Sequence, residues 1–312
     1  MALDPNIRPV IDISSLPDIT RDEYDFHDTS FFQSQAGKTV HLPSPAQVLR
    51  DQPNLNCGVA IYEDLNLVVK FNDSRFVRRE EAQALRAIKQ AFPDGEVPVP
   101  EVFGWRVYDR RTFLYMSLAV GKTLREAWPL LTKDDKSAIS TELSHIVTAL
   151  RRVSPGPSGP FIGSVGQGPV QDRFFHFDYV EGPFFTIKSF QDWLLAAATR
   201  QRVRPGEKVV VMDGLYRDWL PDTGNIHLTH GDLTLDNIIV SPDEHGDYHI
   251  VSIIDWEQAG WYPEYWEHFK LYHGVEIDHE WRSGGWADKV MKPFEDEFFA
   301  VAEYFSWRCP IT

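Results

Sequence analysis

The run Leu228-Thr-His-Gly-Asp-Leu-Thr-Leu-Asp-Asn-Ile-Ile-Val240, followed by Ile250-Val-Ser-Ile-Ile-Asp-Trp-Glu257, decides how this chain is read. Its β-branched pieces, Ile238–Val240 and Ile250–Ile254, flank the polar turn Ser241-Pro-Asp-Glu-His-Gly-Asp247, a hairpin pattern. His230, Asp232 and Asn237 lie on the loop entering the hairpin, and Asp255 leaves it. Strand pairing predicts that Asp232, Asn237 and Asp255 gather at one end. Three oxygen-bearing side chains there suit a hard divalent cation and a general base.

Working outward, the chain of 312 residues is long enough for two modest domains or two lobes of one fold. Its 43% hydrophobic and 25% charged content is that of an ordinary globular protein. No apolar run approaches the roughly 18 residues of a membrane span. Met1-Ala-Leu-Asp-Pro-Asn has neither the basic nor the apolar part of a signal peptide, so a cytoplasmic location is expected. Cys57 and Cys309 make neither a disulfide framework nor a metal-site spacing. A net charge of −15 argues against nucleic acid and anionic membranes and suits a cationic or neutral small molecule. No partner protein is indicated.

Upstream, residues 1–36 read as an irregular arm with a short helix near Arg21–Phe26. Thr39–Leu42, Ala46–Leu49, Val59–Tyr62 and Leu67–Phe71 read as strands of an antiparallel meander, separated by turn signals. Phe76–Phe92 has helical periodicity, with Val77, Ala84, Leu85, Ile88 and Phe92 on one face. Glu81 falls near the centre of that apolar stripe and needs a partner. Lys70, ending the preceding apolar strand, is the natural one. Glu101–Tyr108 and Arg111–Leu118 read as two further strands.

From Gly121 the texture changes. Thr123-Leu-Arg-Glu126 has capping-box spacing, and Asp134–Val153 is a long amphipathic helix. A Pro- and Gly-rich loop, Ser154–Gly168, and an aromatic irregular stretch, Gln171–Thr186, follow. Ser189–Arg200, Val209–Leu220, Pro263–Tyr272 and Ala287–Trp307 are predicted helices. After Asp255 the sequence turns acidic, with Lys270 as its lone lysine up to Glu280. His268, His273 and His279 are spaced wrongly to share a zinc ion on one helical face.

The pattern His230-x-Asp232-x-x-x-x-Asn237 with Ile253-Ile-Asp255-Trp resembles the aminoglycoside phosphotransferase and choline kinase-like family, small-molecule kinases of the protein-kinase-like fold. Val-Val-Lys70, Glu81-Ala82, Pro98-Val-Pro100 and Met116-Ser-Leu-Ala-Val-Gly-Lys-Thr-Leu124 fall where that family places them, so the likeness runs from about Leu67 to Tyr272. It implies an α+β, bilobal molecule: residues 37–120 as a nucleotide-binding lobe with a small antiparallel sheet and one helix, and residues 121–312 as a mainly helical, catalytic and acceptor-binding lobe. It further implies ATP and magnesium, with Asp232 as catalytic base and Asn237 and Asp255 as metal ligands. Lys70, held by Glu81, would contact the nucleotide phosphates. Adenine would hydrogen-bond the connector around Ser117 and Ala119, with Met116 lining its pocket. His230 would brace the loop. Glu264, Glu267 and Trp261 are candidate acceptor contacts, since acidic and aromatic walls suit amines. Asn54-Leu-Asn-Cys-Gly58 stands where a phosphate-covering loop belongs, but lacks the G-x-G-x-x-G pattern.

The expected activity is ATP-dependent phosphoryl transfer to a hydroxyl of a small molecule, with amine- or sugar-containing acceptors as candidates, for which Lys70, Asp232, Asn237 and Asp255 are all present. The alternative is a kinase-like protein that binds nucleotide or ligand without turnover, suggested by the unusual phosphate loop. A protein kinase fits less well, because Asp255-Trp-Glu257 replaces Asp-Phe-Gly and no Ala-Pro-Glu follows. A metal hydrolase would leave Lys70 and Glu81 without a task.

Overall fold

In the computed structural model, residues 8–33, 41–53, 57–175, 180–199 and 216–308 are described. The strands are β1 (Glu23–Asp25), β2 (Gly58–Tyr62), β3 (Leu67–Asp73), β4 (Val102–Tyr108), β5 (Arg111–Ser117), β6 (Lys122–Thr123), β7 (Gly163–Ser164), β8 (Ile226–Thr229), β9 (Ile238–Pro242), β10 (Tyr248–Ile253) and β11 (Gly260–Pro263). The helices are α1 (Ser30–Gln33), α2 (Pro45–Asp51), α3 (Arg79–Ala91), α4 (Leu124–Ala127), α5 (Lys133–Arg152), α6 (Ile187–Ala198), α7 (Trp266–His273), α8 (Glu280–Ser283), α9 (Trp286–Val290) and α10 (Glu295–Arg308). The α+β, bilobal expectation holds: an antiparallel sheet in the order β1-β4-β5-β3-β2 carries one long helix, α3, ahead of a mainly helical half.

Alternation along β3 explains how that sheet serves both a core and a site. Leu67, Val69 and Phe71 face one side and pack with Val48 of α2, Phe103, Phe113 and Tyr115. Val68 and Lys70 face the other, the α3 side, where Ala84, Leu85 and Ile88 meet Leu114 and Met116. The period of two therefore delivers Lys70 to Glu81.

The hairpin forms as predicted, with Ile238 opposite Ile253 and Val240 opposite Ile250, and β6 adds a third strand on its β9 edge. Asp243 closes the turn by accepting from the amides of His245 and Asp247. A Cβ on Gly121 would lie 2.5 Å from the Val240 carbonyl oxygen, so the chain leaving β5 lies directly on the hairpin. Both capping boxes, Thr123/Glu126 and Thr132/Asp135, are made.

Three local expectations fail, and a fourth falls mostly outside the described residues. Ala46–Leu49 is helical in α2, because Ser44 caps the Gln47 amide and Pro45 occupies the first turn. The meander therefore reduces to β2 and β3 among the described residues, and part of Thr39–Leu42 lies outside them. Arg21–Phe26 is not helical: Glu23–Asp25 adds an edge strand against Gly104–Arg106. Of Val209–Leu220, residues 209–215 lie outside the described residues, and Arg217–Trp219 forms a single 3-10 turn. The tail predicted as one helix over Ala287–Trp307 is two, α9 and α10, with Pro293 in the break between them.

Candidate active site

The loop between β8 and β9 is held from both ends. The His230 amide donates to Glu267 Oε2 at 2.6 Å, and Asp232 N–H donates to His230 Nδ1 at 3.1 Å. With Nδ1 accepting, the proton sits on Nε2, which reaches the Ile254 carbonyl at 3.0 Å. Burial pushes the His230 imidazole down to about 4, so it is neutral. Gly231, at φ 78°, approaches Gln258 so closely that a Cβ would meet its carbonyl oxygen at 2.6 Å. Arg125 of α4 clamps the far side, with Nε 2.8 Å from Asp236 and Nη2 2.8 Å from the Gly274 carbonyl.

Asn237 donates to the Asp232 carbonyl at 2.8 Å and to Asp232 Oδ2 at 3.2 Å. Its backbone carbonyl accepts from the Ile254 amide at 2.9 Å, which places Asn237 beside Asp255 at the open end of the hairpin. Asp232, Asn237 and Asp255 thus converge as the hairpin pattern requires. Asp255 itself is left-handed (φ 64°, ψ 58°), a conformation that an aspartate tolerates at modest cost and that turns its carboxylate away from β10. Burial raises the Asp232 carboxyl, with Lys270 and Arg173 pulling against it.

Lys70 enters from the sheet and is gripped by three carboxylates: Glu81 at 2.8 Å, Asp255 at 2.5 Å and Glu257 at 3.2 Å. Burial alone would push its ammonium down, but Glu81, Asp255 and Glu257 outweigh that and hold it charged. Glu81 is 1% exposed and raised by the same burial, with Lys70 opposing the shift.

Glu81, Asp255 and Glu257 bring oxygens within 4.8 Å of one another. That cradle already holds an ammonium, so it is the lysine's binding site. The residues that would hold a magnesium ion are Asn237 and Asp255. Asn237 turns its amide nitrogen to Asp232, which leaves its oxygen as a donor, and the all-oxygen set suits a hard cation.

The connector after β5 is partly committed. Met116 is 7% exposed and lines the α3 side of the sheet. The Ser117 amide donates to the Glu101 carbonyl and the Leu118 amide to that of Asn66. Ser117 N–H is therefore not available to adenine, and half-buried Ala119 is the better placed of the two.

The three acceptor candidates are not brought to the site. Trp261 is 1% exposed, in the middle of β11 between β7 and β8 and against Phe161. Glu267 is buried and fastens the His230 amide from beneath the loop. Glu264 lies beyond the far end of β8, accepting from Asn225 and facing Arg151 at 3.7 Å. The corresponding sequence signal, a run of carboxylates, did not separate buried braces from a wall. Of Asn54–Gly58, residues 54–56 lie outside the described residues; Gly58 starts β2, one register step from Lys70, opposite Phe71.

Sequence reasoning gave no role to Glu257, Arg173 or the buried trio of Asp172, Gln258 and Lys270. Glu257 is 4% exposed and shares its carboxylate between Lys70 and Arg173. Its place two residues after Asp255 was the available signal.

A family model described as the phosphotransferase enzyme family matches residues 59–297. Among solved structures, an aminoglycoside-3'-phosphotransferase of type VIII is 14% identical, covering 83% of this chain and 98% of that one, with a TM-score of 0.49. The aminoglycoside phosphotransferase APH(3'')-Id from Streptomyces rimosus is 16% identical, covering 84% and 96%, with a TM-score of 0.48. The same protein in complex with ADP and streptomycin gives 0.46. No curated protein matches the chain.

Proposed function

Because the chain belongs to the phosphotransferase enzyme family, we propose that it moves the terminal phosphoryl group of ATP, with magnesium, to a hydroxyl of a small molecule. The observation that carries this reading is the joining of Lys70, from the sheet, to Asp255, from the hairpin, at 2.5 Å, beside the Asn237–Asp232 pair. Phosphoryl transfer needs a cation on the nucleotide phosphates, ligands for a divalent metal and a carboxylate facing the acceptor, all in one cleft.

In this reading Asp232 accepts a hydrogen bond from the acceptor hydroxyl and takes its proton as the new bond forms. Asn237 restrains the Asp232 carboxylate and, with Asp255, would hold magnesium, which supplies charge neutralisation at the phosphates when bound. Lys70 is kept charged and aimed by Glu81. Residues 37–120 form the nucleotide lobe and residues 121–312 the catalytic one, with Ala119 and Met116 at the adenine. The acceptor's class is open: Glu264 and Glu267 are engaged by the amides of Asn225 and His230.

Thermal-shift titration with magnesium and ATP, followed by a hydrolysis assay, separates catalysis from mere binding. Saturation at about 100 times Kd should stabilise the fold by roughly 2.7 kcal/mol, and slow ADP release should accompany it. Stabilisation with no hydrolysis, and no transfer to any acceptor, would favour the binding-protein alternative.

A further inference from the structure

Arg173 stands on a segment, 171–175, whose backbone is pinned with unusual thoroughness. Tyr262 Oη accepts from the amides of Gln171 and Asp172, both at 3.2 Å. Gln258 Oε1 accepts from the Arg173 amide at 2.9 Å, and Arg78 Nη2 donates to the Gln171 carbonyl at 2.7 Å. Asp172 is 2% exposed and takes Trp266 Nε1 at 2.9 Å, Lys270 Nζ at 3.1 Å and the Phe174 amide at 2.9 Å. Lys270 also donates to Gln258 Oε1 at 3.2 Å. A buried Lys–Asp pair is a poor source of stability compared with apolar packing. Its evident effect here is positional: it fixes the one exposed cation of the segment.

That cation leans on the site. Arg173 donates from Nε to Glu257 Oε1 at 2.8 Å and its Nη2 lies 2.5 Å from the same oxygen, while Glu257 Oε2 takes Lys70. One carboxylate therefore bridges the two cations. The Arg173 side chain is 58% exposed, and among the described residues its Nη1 has no hydrogen-bond partner. The guanidinium also lies near enough to Asp232 and Asp255 to favour the ionised form of both. Arg173 thus stands on the same carboxylate as Lys70, whose ammonium is also in contact with Asp255.

We propose that Arg173 is a contact of the transferring phosphoryl group: its free edge binds the γ-phosphate of the nucleotide while Glu257 holds it in line with Lys70. The inference rests on the kinase reading of the same site. A planar guanidinium is the cation best matched to phosphate oxygens.

Calorimetric titration of wild type, Arg173→Gln and Arg173→Lys with magnesium–ADP and a magnesium complex of a non-hydrolysable ATP analogue tests it. Arg173→Gln should lose roughly 10- to 100-fold in affinity for the triphosphate, the range of one charge-assisted hydrogen bond, with ADP affinity within about twofold. Arg173→Lys should fall between. Equal losses for both nucleotides would overturn the proposal, leaving Arg173 as a support for Glu257 and Lys70. Unchanged affinity for both would also overturn it. Wild type binding neither nucleotide would sink the kinase reading together with this contact, a result distinct from an indifferent variant of a competent wild type.

Discussion

His230 and Glu267 make opposite demands on the proton, although they share a hydrogen bond. His230 titrates near 4 when folded and near 6.5 when unfolded, so between those values the unfolded chain binds more protons and stability rises with pH. Glu267 is raised by burial to about 7 from 4.5, with the amides of His230 and Gly231 opposing. Between 4.5 and 7 the folded chain holds more protons, and stability falls as pH rises. The two slopes oppose each other across roughly pH 4.5–6.5. Glu267→Gln removes one of them, so the stability of the variant relative to wild type should increase with pH from about 4.5 to 7. Urea denaturation at a series of pH values checks this; a constant difference would show that Glu267 is ionised in the fold. The placement of the residues at this scale was partly legible in advance. His230, Asp232, Asn237, Asp255, Lys70 and Glu81 are tied to one another by short sequence spacings or by the period of an element. The settings of Glu267, Trp261 and Glu264 were not legible, because composition says nothing about which way a side chain faces.

At the scale of elements, periodicity succeeded where elements are long and failed where a cap decides. α3 and α5 announce themselves by apolar stripes, and β9–β10 by alternation around a turn. α2 is short, and its apolar Val48 and Leu49 read equally well as strand; Ser44 followed by Pro45 was the better signal. Ser44→Ala should cost about 1 kcal/mol of unfolding free energy, measured by urea denaturation, without changing nucleotide affinity. No loss would mean that packing on Phe71 and Phe113 holds α2 unaided. The edge strand β1 was illegible because its partner is far away in sequence. Its imprint lies at Gly104, where a Cβ would come within 2.3 Å of the Tyr24 carbonyl oxygen.

On the scale of the whole molecule, the N-terminal segment, whose role the sequence left blank, is a strap over both halves. Ile11 N–H donates to the Ser154 carbonyl and Ser154 N–H to that of Pro9, at the end of α5. Further along, β1 joins the sheet, and Gln83 and Arg79 of α3 donate to the carbonyls of Pro17 and Arg21. Ile11 and Phe26, 2% and 5% exposed, seat it in the core. Removing the chain up to Asp28 exposes what they cover, so the melting temperature should fall by roughly 5–10 °C at about 1.5–3 kcal/mol for each buried side chain. An unchanged melting temperature would show the strap to be loosely held. Among the described residues no helix is long and apolar enough to cross a membrane.

The central claim is that Asp232 acts as base in transfer from ATP to a small-molecule hydroxyl. It is tested most directly by a metabolite panel scored for acceptor-dependent ADP release, run with wild type and Asp232→Asn side by side. Wild type should phosphorylate at least one acceptor, and the variant should turn the same acceptor over at least about 100-fold more slowly, the lower range for loss of a general base. Equal turnover by the variant would contradict the account.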